Sequence, residues 1–121
     1  MDFFCQTPKG IRLGYPSPKL LRTVSGRQRR RVRNRVVLAL TANPYYALER
    51  VRPGARLAAV ARRLRTGAPV HVGLNYWYLF RAGGSTGVLK VRHRTIEEVG
   101  IADPSLSHSR RARRTFIRAF Y

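Results

Sequence analysis

Few side chains in this chain are of a type that does chemistry, and their spacing decides what they can do. The histidines are His71, His93 and His108. None has a second histidine four residues away and none has a cysteine partner, whereas a bound metal is held by several ligands at characteristic spacing. Each reads as structural: His71 near the start of a strand, His93 in a turn, His108 at the start of a helix. Glu97-Glu98 is the sole acidic pair. On a strand, neighbouring side chains point to opposite faces, so the two carboxyl groups cannot share a proton unless a bulge intervenes. Each is expected to pair with a nearby arginine. Asp103, ahead of Pro104, suits a turn cap better than a base. Gly83-Gly84-Ser85-Thr86-Gly87 lacks the following helix that a phosphate-binding loop requires, and no nucleophile motif or dinucleotide fingerprint appears. The expectation is a chain with no catalytic residue, no metal site and no cofactor.

What remains is chemistry of binding. The 121 residues carry a formal net charge of +20, with 22 arginines against three lysines. An excess of this size points to nucleic acid, an anionic membrane surface or another polyanion as partner. The preference for arginine over lysine has two competing explanations, selection for a charged surface or GC-rich codon usage, which favours arginine. Two clusters are the candidate anion contacts: Arg27, Arg29, Arg30, Arg31 and Arg33, then Arg110, Arg111, Arg113 and Arg114. The plainer reading of each cluster is a solvated charged face. Tyr76 and Tyr78, interleaved with Arg81 and Arg92, could form a stacking surface with phosphate clamps. Strand alternation sends about half of the aromatic rings inward, so the competing reading is a core with a half-exposed belt.

These side chains need elements to hold them. The segment 70–102 organises the rest. Val70 to Phe80 is dense in β-branched and aromatic residues, Ala82 to Gly87 supplies a flexible loop, Val88 to Arg92 runs back, and Ile96 to Ile101 crosses again. This predicts a three- or four-stranded antiparallel meander. Ala55 to Arg65 carries Leu57, Val60, Ala61 and Leu64 at helical spacing, with Gly67 and Pro69 as the stop; it is expected to roof Trp77. Ser107 to Ala119 predicts a second helix, burying Ala112, Phe116, Ile117 and Phe120 and exposing its arginines. Nearer the start, Phe3 to Gln6 and Ile11 to Tyr15 read as a hairpin around Thr7-Pro8-Lys9-Gly10. Ser17-Pro18 opens a short helix that Ser25-Gly26 breaks. Arg27 to Arg33 reads as a solvated helix or turn. Val36 to Thr41 reads as a strand, with Tyr45 to Val51 as its antiparallel partner.

Leu13-Gly14-Tyr15, Pro18 and Leu20 recur as Val99-Gly100-Ile101, Pro104 and Leu106. Taken as an internal repeat, residues 1–51 are a partial module (hairpin, short helix, strand) and 52–121 a complete helix–meander–helix module. The first copy then lacks its own helix and Trp-bearing strand, and the chain looks truncated at its front. On that footing the N-terminal strand edge is a place where copies could associate. No apolar run approaches the ~20 residues that span a bilayer. The first residues lack the basic start and apolar centre of a signal peptide, and one cysteine leaves the redox compartment open.

With Gly54-Ala55, Val60, Leu64, Gly67-x-Pro69 and Trp77-Tyr78 in place, residues 50–102 resemble small bacterial envelope domains of the SmpA/OmlA (BamE-like) lipoprotein family and the related β-lactamase inhibitor proteins. The chain also looks like Arg-rich modules of uncharacterised secreted proteins of high-GC bacteria. It departs from the family pattern where Arg65-Thr66 separates Leu64 from Gly67, where His93-Arg94 replaces a Gly-containing turn, and where Cys5 has no apolar run before it. The resemblance implies an antiparallel sheet with helices on one face, a binding or scaffolding role, a protein partner, and a place at the cell envelope or outside the cell. The expectation is therefore an α+β fold, a β-meander with two main helices packed on one face, serving as a non-enzymatic binding module; the alternative is a nucleic-acid or polyanion binder.

Overall fold

The computed structural model describes residues 2–3 and 10–120. Among the described residues, seven strands form one antiparallel sheet: β1 (Asp2–Phe3), β2 (Ile11–Gly14), β3 (Leu38–Thr41), β4 (Val70–Val72), β5 (Asn75–Ala82), β6 (Ser85–Arg92) and β7 (Thr95–Ala102). Their order across the sheet is β1-β2-β3-β7-β6-β5-β4. The long strands β5, β6 and β7 are the expected meander, and Gly73-Leu74 folds the start of that segment back as the edge strand β4. β2 pairs antiparallel with β1, which gives the strand pairing of the expected N-terminal hairpin at Asp2–Phe3, while residues 4–9, including the expected turn, lie outside the described residues.

The α+β class and the antiparallel sheet are as expected; the placement of one helical segment is not. Alternation along β5 sends Trp77 and Leu79 to one face and Tyr78 and Phe80 to the other. On the first face, Trp77, Leu79, Val88, Leu38 and Leu40 pack against Leu20 of α1 (Pro18–Leu21), Val32 of α2 (Gly26–Val32), and Phe116 and Ile117 of α4 (Arg110–Phe120). On the second face, Phe80, Leu89, Val91, Ile96 and Val99 pack against Val51 and Val60, with Leu57 and Leu64 at the margin. The Ala55–Arg65 stretch therefore covers Phe80 rather than Trp77, and Trp77, fully buried, is covered by α4. The sheet is covered on both faces.

That stretch is also not one helix. Gly54 N donates to Ile96 O, Ile96 N to Ala55 O and Leu57 N to Arg94 O, at 2.7, 2.8 and 3.0 Å. These strand-like bonds hold its first residues against β7, so only a 3-10 turn at Leu57–Ala59 and a single α turn, α3 (Ala61–Leu64), follow. The expected strand Tyr45 to Val51 is a second correction. Glu49 and Arg50 both take left-handed φ values of 50° and 63°, making a tight turn closed by mutual Leu48–Val51 backbone bonds. β3 pairs with β2 and β7 instead.

The helix starts follow local chemistry. Ser17 Oγ accepts from Leu20 N at 3.1 Å and caps α1, with Pro18 in its first turn. Ser25 Oγ accepts from Gln28 N at 3.2 Å, so the expected break at Ser25-Gly26 is also the start of α2. Asp103 caps a 3-10 turn at Pro104–Leu106 by accepting from Ser105 N at 2.8 Å. Among the described residues no helix is long and apolar enough to cross a membrane.

Candidate anion-binding site

α4 begins where Ser109 Oγ accepts from Ala112 N at 3.1 Å. Arg110, Arg113 and Arg114 follow at i, i+3 and i+4, which places them on one side of the helix. Arg111 lines a different cavity, shared with Leu20 of α1 and the Thr23-Val24 turn. Three of the four expected α4 contacts therefore converge and one does not.

Arg110, Arg113 and Arg114 line a cavity of about 390 Å³ together with Arg65. Trp77 and Leu79 of β5 contribute to its floor, and the Gly67-Ala68-Pro69 turn forms a wall. No carboxylate stands in that lining. Arg65 enters because the chain leaves α3 there in the left-handed conformation, φ 53° and ψ 49°. Sequence reasoning placed the helix stop at Gly67 and missed this residue; a left-handed arginine leaves no mark in the sequence comparable to a glycine.

Arg113 was expected to be exposed and is half-buried. Its Nε donates to Ser107 O at 3.0 Å and its Nη1 to Leu79 O at 3.3 Å. The guanidinium is thus tied to β5 and to the turn ahead of α4 at once. Beyond it lies a second cavity, of about 400 Å³, lined by Arg81, Arg113, His108, Ser85, Thr86 and Ser107 among others. Ser107 is fully buried, its hydroxyl 2.7 Å from both Thr86 Oγ1 and Asp103 O. His108 Nδ1 lies 3.1 Å from Ser105 O.

The α2 cluster lies on the same face of the sheet as α4. Gln28 Nε2 donates to Ser105 O at 2.8 Å, joining α2 to the turn ahead of α4. Arg29 is spent on the backbone, donating to Leu21 O at 3.0 Å and Val24 O at 3.4 Å. Arg27, Arg30, Arg31 and Arg33 are exposed.

The four residues of the expected stacking surface are not brought together. Tyr76 is exposed on the second face, with one side of its ring stacked on His71 at 4.3 Å and 2° between planes. Tyr78 packs into the second-face core. Arg81 belongs to the cavity on the first face. Arg92 ends β6 opposite Thr95, half-buried.

Glu97 and Glu98 are engaged elsewhere. Arg12 holds Glu98 through both carboxylate oxygens. Lys90 Nζ stands 3.2 Å from Glu98 and 3.5 Å from Glu97. A register shift between Lys90 and Val91 supplies the bulge that lets one lysine reach both neighbours. His93 occupies the β6–β7 turn with a left-handed φ of 52°. Compared with known proteins, the chain matches no family model, no curated protein and no solved structure.

Proposed function

We propose that this chain is a non-enzymatic binding module whose partner is a polyanion, best matched by the sugar-phosphate backbone of nucleic acid. One observation carries the reading: Arg65, Arg110, Arg113 and Arg114 surround a single cavity with no carboxylate in its wall. Like charges gathered without counter-charge cost free energy, and a bound anion relieves that cost. The planar guanidinium fork also matches phosphate geometry, and arginine remains charged at every physiological pH. The exposed arginines of α2 extend the positive surface on the same side of the sheet.

Phosphate contacts position a nucleic acid without reading its sequence. The arrangement therefore supports backbone binding with little base preference. Fluorescence anisotropy of labelled oligonucleotides across a salt series tests this. For single strands the expected plot of log K against log salt is linear, with a slope of about −3 or steeper if four or more phosphates are neutralised. Binding that ignores salt, or no binding at about 50 mM salt, overturns the proposal.

A second reading keeps the binding module but gives it a protein partner at the cell envelope or outside the cell. It is supported by an apolar groove on the second face, where Ile11, Ala39, Tyr46 and Ile101 stand together and all but Ala39 are exposed. It becomes the reading to prefer if oligonucleotides fail to bind.

A further inference from the structure

Arg113 lines both basic cavities, the one shared with Arg65, Arg110 and Arg114 and the one shared with Arg81 and His108. We infer that these are two subsites of one trough, taking successive phosphates of a single flexible nucleic-acid strand, with Arg113 as the fixed post between them. The inference rests on the polyanion-binding reading and adds strandedness and two named phosphate positions to it.

Three features of the geometry carry it. First, Arg113 is held in advance. Bonds to Ser107 O and Leu79 O fix its guanidinium plane, so little side-chain freedom is lost when an anion arrives. A surface arginine lacks that advantage. Second, each flank has its own exposed cation: Arg65, Arg110 and Arg114 on one side, Arg81 on the other. Third, both sites are recessed, with volumes of about 390 and 400 Å³. The phosphates of a duplex lie along a stiff convex rod, whereas a single strand can bend its backbone into two recesses either side of a helix start. The second recess also offers the hydroxyl of Ser85 at the Gly83-Gly84 turn, where small residues leave room for a backbone to approach.

The test uses the full chain and a labelled oligothymidylate, with Arg65→Gln and Arg81→Gln alone and combined. Arg50→Gln and Arg56→Gln, exposed and outside both cavity linings, serve as charge controls. Each cavity variant is expected to weaken binding at least threefold more than its control and to flatten the salt slope by about one phosphate's worth. The double variant is expected to lose at least the sum of the two single losses, with the strand then held at Arg113 by Arg110 and Arg114 on one flank and by no exposed cation on the other. Arg113→Lys keeps the charge but not the two-carbonyl tether, and is expected to bind less tightly; should it fail to fold, the exposed Arg65 and Arg81 still decide. Single-stranded binding that the cavity variants weaken no more than the controls overturns the trough and leaves the polyanion reading standing. A duplex of the same length competing as well as the single strand overturns the strandedness. Absence of any oligonucleotide binding by the unaltered chain overturns both this inference and the reading beneath it.

Discussion

The guanidinium of Arg12 on β2 clasps the carboxylate of Glu98 on β7, reaching past the intervening β3. Its Nε–Oε1 bond is 2.9 Å, and the Glu98 side chain is only 9% exposed. This is a charge-assisted, two-point contact tying the N-terminal hairpin to the meander, and Lys90 completes it from β6. Glu98→Gln would leave two cations facing each other over a half-buried site. Arg12 is 20% exposed on its side chain, so solvent tempers the loss. The expected cost is about 2 kcal/mol in urea unfolding. Glu97→Gln is the contrast: at 39% side-chain exposure, its contact with Lys90 should contribute less than about 0.5 kcal/mol.

Gly100 of β7 lies against β3 so closely that an added methyl group would overlap the Ala39 carbonyl oxygen, with Leu40 also in the way. Backbone cannot yield as a flexible side chain can. Gly100→Ala is expected to cost about 3 kcal/mol or more, through lost β3–β7 pairing. Gly84, in the β5–β6 turn, has nothing within 4 Å of an added Cβ and no left-handed φ. Gly84→Ala is expected to change stability by less than about 0.5 kcal/mol. Comparing their urea midpoints checks both.

How far the sequence foretold this structure depends on whether a feature is local. The capped starts at Ser17-Pro18 and Asp103-Pro104, and the meander from Asn75 to Ala102, rest on nearest-neighbour chemistry and were legible. The echo of Pro18 and Leu20 in Pro104 and Leu106 marks two stretches that each follow a strand beside β3 and bury a leucine in the same core. Illegible were the places where tertiary pairing overrode a periodic pattern. Leu57, Val60 and Leu64 have helical spacing, yet bonds to Ile96 and Arg94 recruit the segment's first residues to β7. Tyr45 to Val51 reads as a strand until Glu49 and Arg50 turn left-handed. For the site, the α4 cluster was visible as residues, but its partition was not. Which arginines share a cavity depends on Arg65 and Arg81, brought in by a loop and by β5.

The β6–β7 turn stores removable strain. His93 and Arg94 take φ values of 52° and 63°, the two-residue turn geometry that favours Asn-Gly. The left-handed conformation costs an ordinary side chain roughly 1–2 kcal/mol, offset in part by the freedom a glycine loses on folding. Arg94→Gly should therefore stabilise the fold by about 0.5–1 kcal/mol, since Leu57 bonds only the Arg94 carbonyl. A rise in the thermal midpoint with an unchanged urea slope is the expected result. A fall would mean the Arg94 side chain contributes more than its backbone costs.

Opposite faces of the sheet separate two explanations of binding. If stacked bases carried affinity, Tyr76 would be the ring to lose, being the exposed aromatic of β5. Strand alternation puts it on the face away from Trp77 and the arginine cavities, and His71 already occupies one side of the ring. Tyr76→Leu is expected to change oligonucleotide affinity less than about twofold, where loss of a stacked base costs about 1–3 kcal/mol. Arg114→Gln, at the cavity, should weaken binding several-fold, while Arg111→Gln, in the separate cavity beside Leu20 of α1, should weaken it less. An equal loss for Arg111 and Arg114 would show that α4 acts as a diffuse charge. The predicted inequality, measured at one salt concentration on variants of identical net charge, isolates position from charge.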